Sequence, residues 1–261
     1  MQKLLGLVRK AVTDYNMIQD GDHIAVGLSG GKDSIVLLAL LSRYQKFAKE
    51  SFTLSAINVD MNFPETDKKE VDALVAYCQE IGVPLHIVDT NLADVLFNQR
   101  KENRPCSLCS KIRRGALNSK ADEIGANKIA LGHHVDDALE TLFLSLTREG
   151  RLSTFSPISY MSRMDKYIIR PMIYIEEQQI ANCREKYKLP VVYNPCPMDK
   201  HSEREYVKRL ISSIDRDVKD AKLQMIRALI NPERNNLWDK YKGKKDIKSI
   251  YSETEFNKNN D

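Results

Sequence analysis

No stretch of this 261-residue chain comes near the roughly 20 consecutive apolar residues that a membrane-spanning helix needs, so no membrane association is expected. The opening "MQKLLGLVRKAV" is broken by Lys3, Arg9 and Lys10 and reads as an amphipathic helix, not as a signal peptide. There is no internal repeat. The charge imbalance is slight: a formal net charge of +4 permits a polyanionic partner without demanding one. Cysteine is scarce and odd in number, five in all, which without a secretion signal argues against a disulfide framework and for the cytoplasm. What remains, 42% hydrophobic and 29% charged residues, is the make-up of a soluble globular protein with one large domain, or one with a small appendage.

Periodicity orders the chain. Leu4, Leu5, Val8 and Val12 recur at helical spacing, and "QDGD" makes a turn. "HIAVGLS" predicts a first strand, and "SIVLLALLSRYQKF" a helix that opens from a Gly-Gly turn. "FTLSAINVD", "PLHIVDT" and "KIALGHH" read as further strands. "ETDKKEVDALVAYCQEIG", a basic helix running from Ser110 through "KIRRGALNSKADEIG", and "DDALETLFLSLTRE" read as helices. This alternation predicts an α/β fold, a doubly wound, mainly parallel sheet with helices on both faces, which takes its ligands at the carboxyl ends of the strands. Residues 151–166 admit a mobile loop or a β-hairpin. Then come a strand at "YIIRPM", a helix at "IEEQQIANCREKYK", the turn-rich "VVYNPCPMDK" and a helical stretch from Ser202 to about Leu229. The expected division is an N-terminal helix over 1–20, the main domain over 21–200, and a helical, basic C-terminal extension over 201–261, with too little apolar content at its end to pack well.

Two glycines directly after a strand let the main chain approach a ligand closely, and a helix starting there turns its free N–H groups and positive dipole end to the same spot. In "VGLSGGKDS", Ser29, Gly30, Gly31, Lys32, Asp33 and Ser34 therefore form an anion cradle. It is not the G-x-x-x-x-G-K-S/T loop, because Val26 replaces the first glycine and Asp33 follows the lysine, and it is not G-x-G-x-x-G either. A carboxylate repels phosphate unless a cation intervenes, so Asp33 suits coordination of Mg²⁺ or capping of the helix. "LGHHVDD" also closes a strand and opens a helix, which puts Asp136 and Asp137 at the mouth of the sheet for the same two roles. His133 and His134 are adjacent and point apart, one packing and the other facing the ligand. Asp60, ending "INVD", falls on the ligand edge or simply forms a turn.

In "CSLCSKIRRG", Cys106 and Cys109 stand three residues apart. Two thiolates neither complete a tetrahedral site nor hold a cluster, so another ligand must come from elsewhere. Cys196, in a turn between two prolines, is the best candidate; Cys78 and Cys183 lie within helices among apolar neighbours and read as small core residues. Spacing alone leaves open a zinc site and a [4Fe–4S] cluster with one iron free for sulfur. Arg100, Lys101, Arg104, Lys111, Arg113 and Arg114 surround the pair, and Arg204, Lys208 and Arg209 recur near Cys196. Either group can meet RNA phosphates; the second reads equally well as a solvated helix face.

"SGGKDS" resembles the pyrophosphate loop of the PP-loop, or N-type, ATP pyrophosphatases, which split ATP between its α and β phosphates. With "CSLCSKIRRGAL", "KIALGHHVDDALETLFL" and "IRPM" in the same order, the chain further resembles the TtcA-like tRNA 2-thiocytidine synthetase family over about residues 20 to 200. That resemblance implies the adenine nucleotide alpha-hydrolase-like fold, with ATP, Mg²⁺ and a [4Fe–4S] cluster as cofactors. It implies Cys106, Cys109 and Cys196 as cluster ligands, Ser29 to Ser34 as the pyrophosphate loop, and Gly132 and Asp137 as parts of the nucleotide site. The implied reaction replaces the C2 oxygen of a tRNA cytidine, in the anticodon loop, with sulfur. The implied partners are tRNA and a sulfur donor, sulfide or a cysteine desulfurase, and a homodimer is compatible. Related 2-thiouridine synthetases carry a lysine four residues after the second cysteine, where Arg113 stands here, so no catalytic lysine carries over. Three readings compete: a PP-loop ligase with a nitrogen nucleophile, which leaves the cysteines without a purpose; a thiolating or desulfurising enzyme for a free base or metabolite; and a nucleotide-binding module with structural zinc.

Overall fold

The computed structural model describes residues 1–96, 105–196, 203–231 and 233. Helix α1 (Gln2–Asp14) buries Leu4, Val8, Ala11 and Val12, the stripe that its repeat predicts. In β1 (Asp22–Gly27) the consecutive residues Ile24, Ala25 and Val26 are all fully buried. Side chains alternate along a strand, so both faces of the sheet are covered here. β2 (Phe52–Asp60) pairs in parallel with β1, and β3 (Leu85–Asp89) with β2. β4 (Lys128–Ala130) pairs with the other side of β1. β6 (Lys166–Ile169) runs parallel to β4, and β5 (Ile158–Met161) closes that edge antiparallel to β6, giving the order β3-β2-β1-β4-β6-β5. The doubly wound, mainly parallel sheet is therefore present, and from Ile158 onward the hairpin reading of residues 151–166 holds.

The crossovers set the layers. α2 (Lys32–Gln45) packs on β1 and β2, buried from Ile35 to Leu41, with α1 and α7 (Glu177–Lys186) against it. α3 (Lys68–Glu80) joins β2 to β3; its cap is Asp67, whose carboxylate accepts the Lys69 N–H at 2.9 Å. α4 (Leu92–Asp94) is a short turn that periodicity does not show. α5 (Pro105–Glu123) covers the other face, where Leu117 and Ala121 meet Ala25, Ile57 and Ile129. It starts ahead of the expected Ser110, because proline is well suited to the first turn, where its missing N–H costs nothing. Cys106 and Cys109 consequently ride on this helix. α6 (Val135–Glu149) follows β4, and α8 (Glu203–Asp217) packs on it. The helical stretch expected from Ser202 is broken: Asp220 has φ 60°, a left-handed conformation that no α-helix continues through, and α9 (Ala221–Ile230) starts after it.

Met1–Asp217 forms one compact unit, so α1 and α8 belong to the same body as the sheet, and Val218–Asp261 forms a second. No helix among the described residues is long and apolar enough to cross a membrane. At the amino ends of the strands the Lys128 ammonium is buried 2.6 Å from Asp22 and donates to the Met17 carbonyl at 3.0 Å, while the Asn127 amide donates to the other Asp22 oxygen at 2.8 Å. That polar cluster is satisfied, and it lies at the opposite edge from the residues considered next.

Candidate active site

The chain leaves β1 towards β2 and leaves β4 towards β6, so the sheet order diverges between β1 and β4, and a crevice opens at their carboxyl ends. The loop after β1 is tied to β2: the Leu28 N–H donates to the Ile57 carbonyl at 2.8 Å, and the Asn58 amide donates to the Leu28 carbonyl at 2.7 Å. Gly30 takes φ +84°, and its carbonyl accepts the Val192 N–H at 3.0 Å. The first intrahelical bond of α2 runs from the Ile35 N–H to the Gly31 carbonyl, which leaves the amides of Lys32, Asp33 and Ser34 ahead of it at the helix end. Ser34 donates to the Gly31 carbonyl at 2.9 Å, and Ser29 to Ser34 at 3.2 Å. From β4, Gly132 packs on this turn: a Cβ there would lie 3.1 Å from the Asp33 carbonyl carbon and the Ser34 nitrogen. The structure thus brings Ser29 to Ser34 and Gly132 together.

Carboxylates from both loops surround one imidazole. His134 caps α6, with its N–H donating to Asp137 at 3.0 Å and its Nδ1 accepting the Asp137 N–H at 3.4 Å. Its ring lies 3.5 Å from Asp136, 3.4 Å from Asp137 and 3.8 Å from Asp33. Burial opposes a charge on His134, but Asp136, Asp137 and Asp33 together outweigh it and raise its pKa. His133 packs on Phe155, ring centroids 5.0 Å apart, and burial pulls it down to about 4, with Arg170 and Arg204 adding to that and Asp137 opposing. Lys32 reaches Asp33 at 3.1 Å and Glu177 at 3.0 Å; burial is again outweighed and the lysine pKa rises. Asp33 Oδ1, although near that ammonium, is buried without a hydrogen-bond donor among the described residues. Arg204 reaches Asp137 at 3.2 Å and Glu140 at 3.3 Å, and burial pushes Glu140 up to about 7 against the pull of Arg204. Asp60 accepts the Asn62 N–H at 2.8 Å, so one of its oxygens serves the turn.

Cys106 is exposed and Cys109 half-buried, one helical turn apart on α5. Met61, just past β2, places its sulfur 3.6 Å from that of Cys109. Burial pushes the Cys109 thiol up; Arg113 pulls it down, and Cys196 and Cys106 push it further up. Cys196 follows a segment held by the Val192 N–H donating to the Gly30 carbonyl at 3.0 Å and by the Tyr193 N–H donating to Glu70 at 2.7 Å. Among the described residues no three His, Cys, Asp or Glu side chains stand close enough to hold a metal ion, so the thiols share an edge without forming a closed cage. Cys78 and Cys183 are buried as expected, and burial drives Cys78 up to about 11.

Arg100, Lys101 and Arg104 lie outside the described residues. Lys111 and Arg114 are exposed and Arg113 is half-buried. Arg209 is exposed, whereas Arg204 and Lys208 turn to carboxylates of the site. Asn58, Met61, Glu140 and Glu177 are additions to the residues legible in the sequence. Of these only Glu177 carried a signal, as an acidic residue in the first turn of α7.

A doubly wound sheet with this glycine turn at its switch point defines a class, and the chain belongs to the PP-loop domain family, matched over residues 4–214. Within it, the tRNA-cytidine(32) 2-sulfurtransferase of Syntrophotalea carbinolica is 37% identical over 241 residues, covering 91% of this chain and 92% of that relative. The protein of the same name from Nitrosospira multiformis is 38% identical over 243 residues, 91% of this chain and 80% of its own. Among solved structures, the U34-tRNA thiolase NcsA from Methanococcus maripaludis with its [4Fe–4S] cluster is similar with a TM-score of 0.72 at 26% identity, covering 90% of this chain and 79% of that one.

Proposed function

We propose that this chain is an ATP-dependent tRNA sulfurtransferase that replaces the C2 oxygen of a cytidine with sulfur. Cytidine 32, the position named in its relatives, is the first candidate. The observation that carries this reading is the meeting of the glycine turn and the "LGHHVDD" loop at the switch point, with Cys109 beside Met61 at the carboxyl end of β2 and the segment that leads to Cys196 bonded to Gly30. The carbonyl oxygen on C2 of the pyrimidine ring is a poor leaving group. In the proposed reaction it attacks the α-phosphorus of ATP, pyrophosphate leaves, sulfur adds at C2, and AMP departs with the oxygen.

The amides of Lys32 to Ser34 and the Lys32 ammonium face the charge that grows on departing pyrophosphate, which is preorganised electrostatic stabilisation. Asp33, Asp136 and Asp137, which approach one imidazole from both loops, are the residues that would hold Mg²⁺, drawing closer together as the ion enters with the nucleotide. Gly132 sets the distance between the loops, and Asp60 flanks the nucleotide side. Cys106, Cys109 and Cys196 are the ligand set for a [4Fe–4S] cluster, which when bound offers one iron without a cysteine to carry sulfur. Cys106 is exposed and Cys109 and Cys196 are half-buried, so all three are accessible to an incoming metal group; burial holds the Cys109 thiol up and Arg113 only partly offsets it, so binding the metal must displace its proton. Lys111, Arg113 and Arg114 give tRNA a basic approach to this edge. The sulfur donor is sulfide or a cysteine desulfurase, and the working place is the cytoplasm.

Protein purified without oxygen should contain about four irons per chain with matching acid-labile sulfide. Cys106→Ala, Cys109→Ala or Cys196→Ala should lose them and lose thiolation while still binding ATP. Zinc without sulfide would instead make the cysteines structural and remove the sulfurtransferase reading.

A further inference from the structure

Lys208 was legible only as one of several cations near Cys196, and the structure gives it a particular place. It lies on α8, and its ammonium bonds both oxygens of Glu177, at 2.9 and 2.7 Å. The Oε1 atom of Glu177 also takes Lys32 of the glycine loop, at 3.0 Å. Two ammonium groups from distant parts of the chain thus share one carboxylate oxygen, and both lie within reach of a single tetrahedral oxyanion. Like charges converge in this way only when an anion sits between them. Here that anion is a side chain, held in turn by the Glu177 N–H donating to Asp136 at 2.7 Å. The triad is partly buried, with 34%, 24% and 42% of the side chains of Lys32, Glu177 and Lys208 exposed, so it is open to an incoming ligand.

We propose that Lys208 is a second phosphate-binding residue of the nucleotide site, and that Glu177 is an internal counter-anion that the β- or γ-phosphate of ATP displaces from both lysines. This rests on the reading of the glycine loop as a nucleotide site, but not on the identity of the sulfur acceptor. Arg204 supports it. One turn before Lys208 on the same helix, it reaches Asp137 and Glu140, so one face of α8 supplies two cations to the crevice. Glu177 keeps the lysines apart from stray anions and in position. ATP adds several negative charges and wins; AMP, which has no β- or γ-phosphate, makes little use of Lys208.

The test is equilibrium binding of the α,β-methylene analogue of ATP, which resists cleavage at the α–β bond, and of AMP, both with Mg²⁺, to the full chain. Removing one charge-assisted hydrogen bond predicts that Lys208→Met weakens the analogue about tenfold or more and leaves AMP within about twofold. Lys208→Arg should restore most of the loss, and Glu177→Gln, which keeps the shape but removes the competing charge, should bind the analogue as tightly as the unaltered chain or tighter. A purely structural Lys208–Glu177 bond predicts otherwise: both variants would weaken analogue and AMP alike. That result, or unaltered analogue binding by Lys208→Met, overturns the proposal. If the unaltered chain binds AMP and the analogue equally, the glycine loop takes no pyrophosphate and the nucleotide reading falls with it. Failure confined to the variants leaves that reading standing.

Discussion

Replacing Gly30 with alanine tests how the nucleotide loop is joined to the segment that carries Cys196. Gly30 has φ +84°, where an L-residue costs about 1–2 kcal/mol, and its new Cβ would stand 2.9 Å from that of Val192. Crowding of that kind adds about 1–3 kcal/mol, so Gly30→Ala should destabilise the protein by about 2–5 kcal/mol in urea unfolding. Two further substitutions separate the contributions. Gly82 has φ +70° with nothing within 4 Å of an added Cβ, so Gly82→Ala carries the strain alone. Val192→Gly removes the atom that is struck; in that background the cost of Gly30→Ala should shrink to that of Gly82→Ala, a coupling of about 1–3 kcal/mol. An equal cost of Gly30→Ala in both backgrounds would refute the contact, and with it the docking of the Cys196 loop on the glycine turn.

Gly132→Ala brings crowding without left-handed strain, and because the atoms it meets are backbone of Asp33 and Ser34, ATP affinity should fall more than stability does; binding titration beside urea unfolding checks this. Lys128→Met strands the buried carboxylate of Asp22 and should cost about 3–5 kcal/mol of stability with ATP binding unchanged, since the pair lies at the amino ends of the strands. In an NMR titration the adjacent imidazoles should separate, His133 near 4 and His134 above the ordinary 6.5. The signs follow from linkage: the contribution of His134 to stability is full below about 6.5 and fades as pH rises through its raised pKa. Stability associated with neutral His133 is present above about 6.5 and is lost as pH falls towards 4, so His133→Phe should flatten that acid limb. Binding of tRNA should weaken steeply with salt, and Lys111→Ala with Arg114→Ala should lower the slope of log K against log salt by about 0.7–0.9 for each phosphate that is no longer neutralised.

The fold was legible because its signals are local. Apolar runs such as "HIAVGLS" and "FTLSAINVD" stop where glycine or aspartate begins, and each strand pairs with the next or leaves a helix-length connection. The glycine turn was legible for the same reason: its chemistry lies within consecutive residues. The start of α5 was not, because Cys106, Ser107, Cys109 and Ser110 interrupt the apolar period although Pro105 supplies a good first turn. The break at Asp220 was hidden for the converse reason, helical composition on both sides of one left-handed residue. The charge network of the site was least legible. Glu177, Glu140, Arg204 and Lys208 come from α6, α7 and α8, and only the packing of these helices puts their charges on Lys32 and Asp137. A cation on an amphipathic helix reads as solvated until its partner is known, and partners far apart in sequence leave no spacing to find.

Counting products in one vessel tests most directly whether the glycine turn and the cysteines serve one reaction. Protein loaded with iron and sulfide without oxygen is given ATP, Mg²⁺, a sulfide source and unmodified tRNA; AMP is then measured by chromatography and 2-thiocytidine by mass spectrometry of digested tRNA. AMP, not ADP, should form only with tRNA and be matched mole for mole by 2-thiocytidine, with both absent in Cys196→Ala. Thiolation without AMP, or AMP that accumulates with no sulfur in the tRNA, would contradict the claim that the glycine turn and the three thiols serve one reaction.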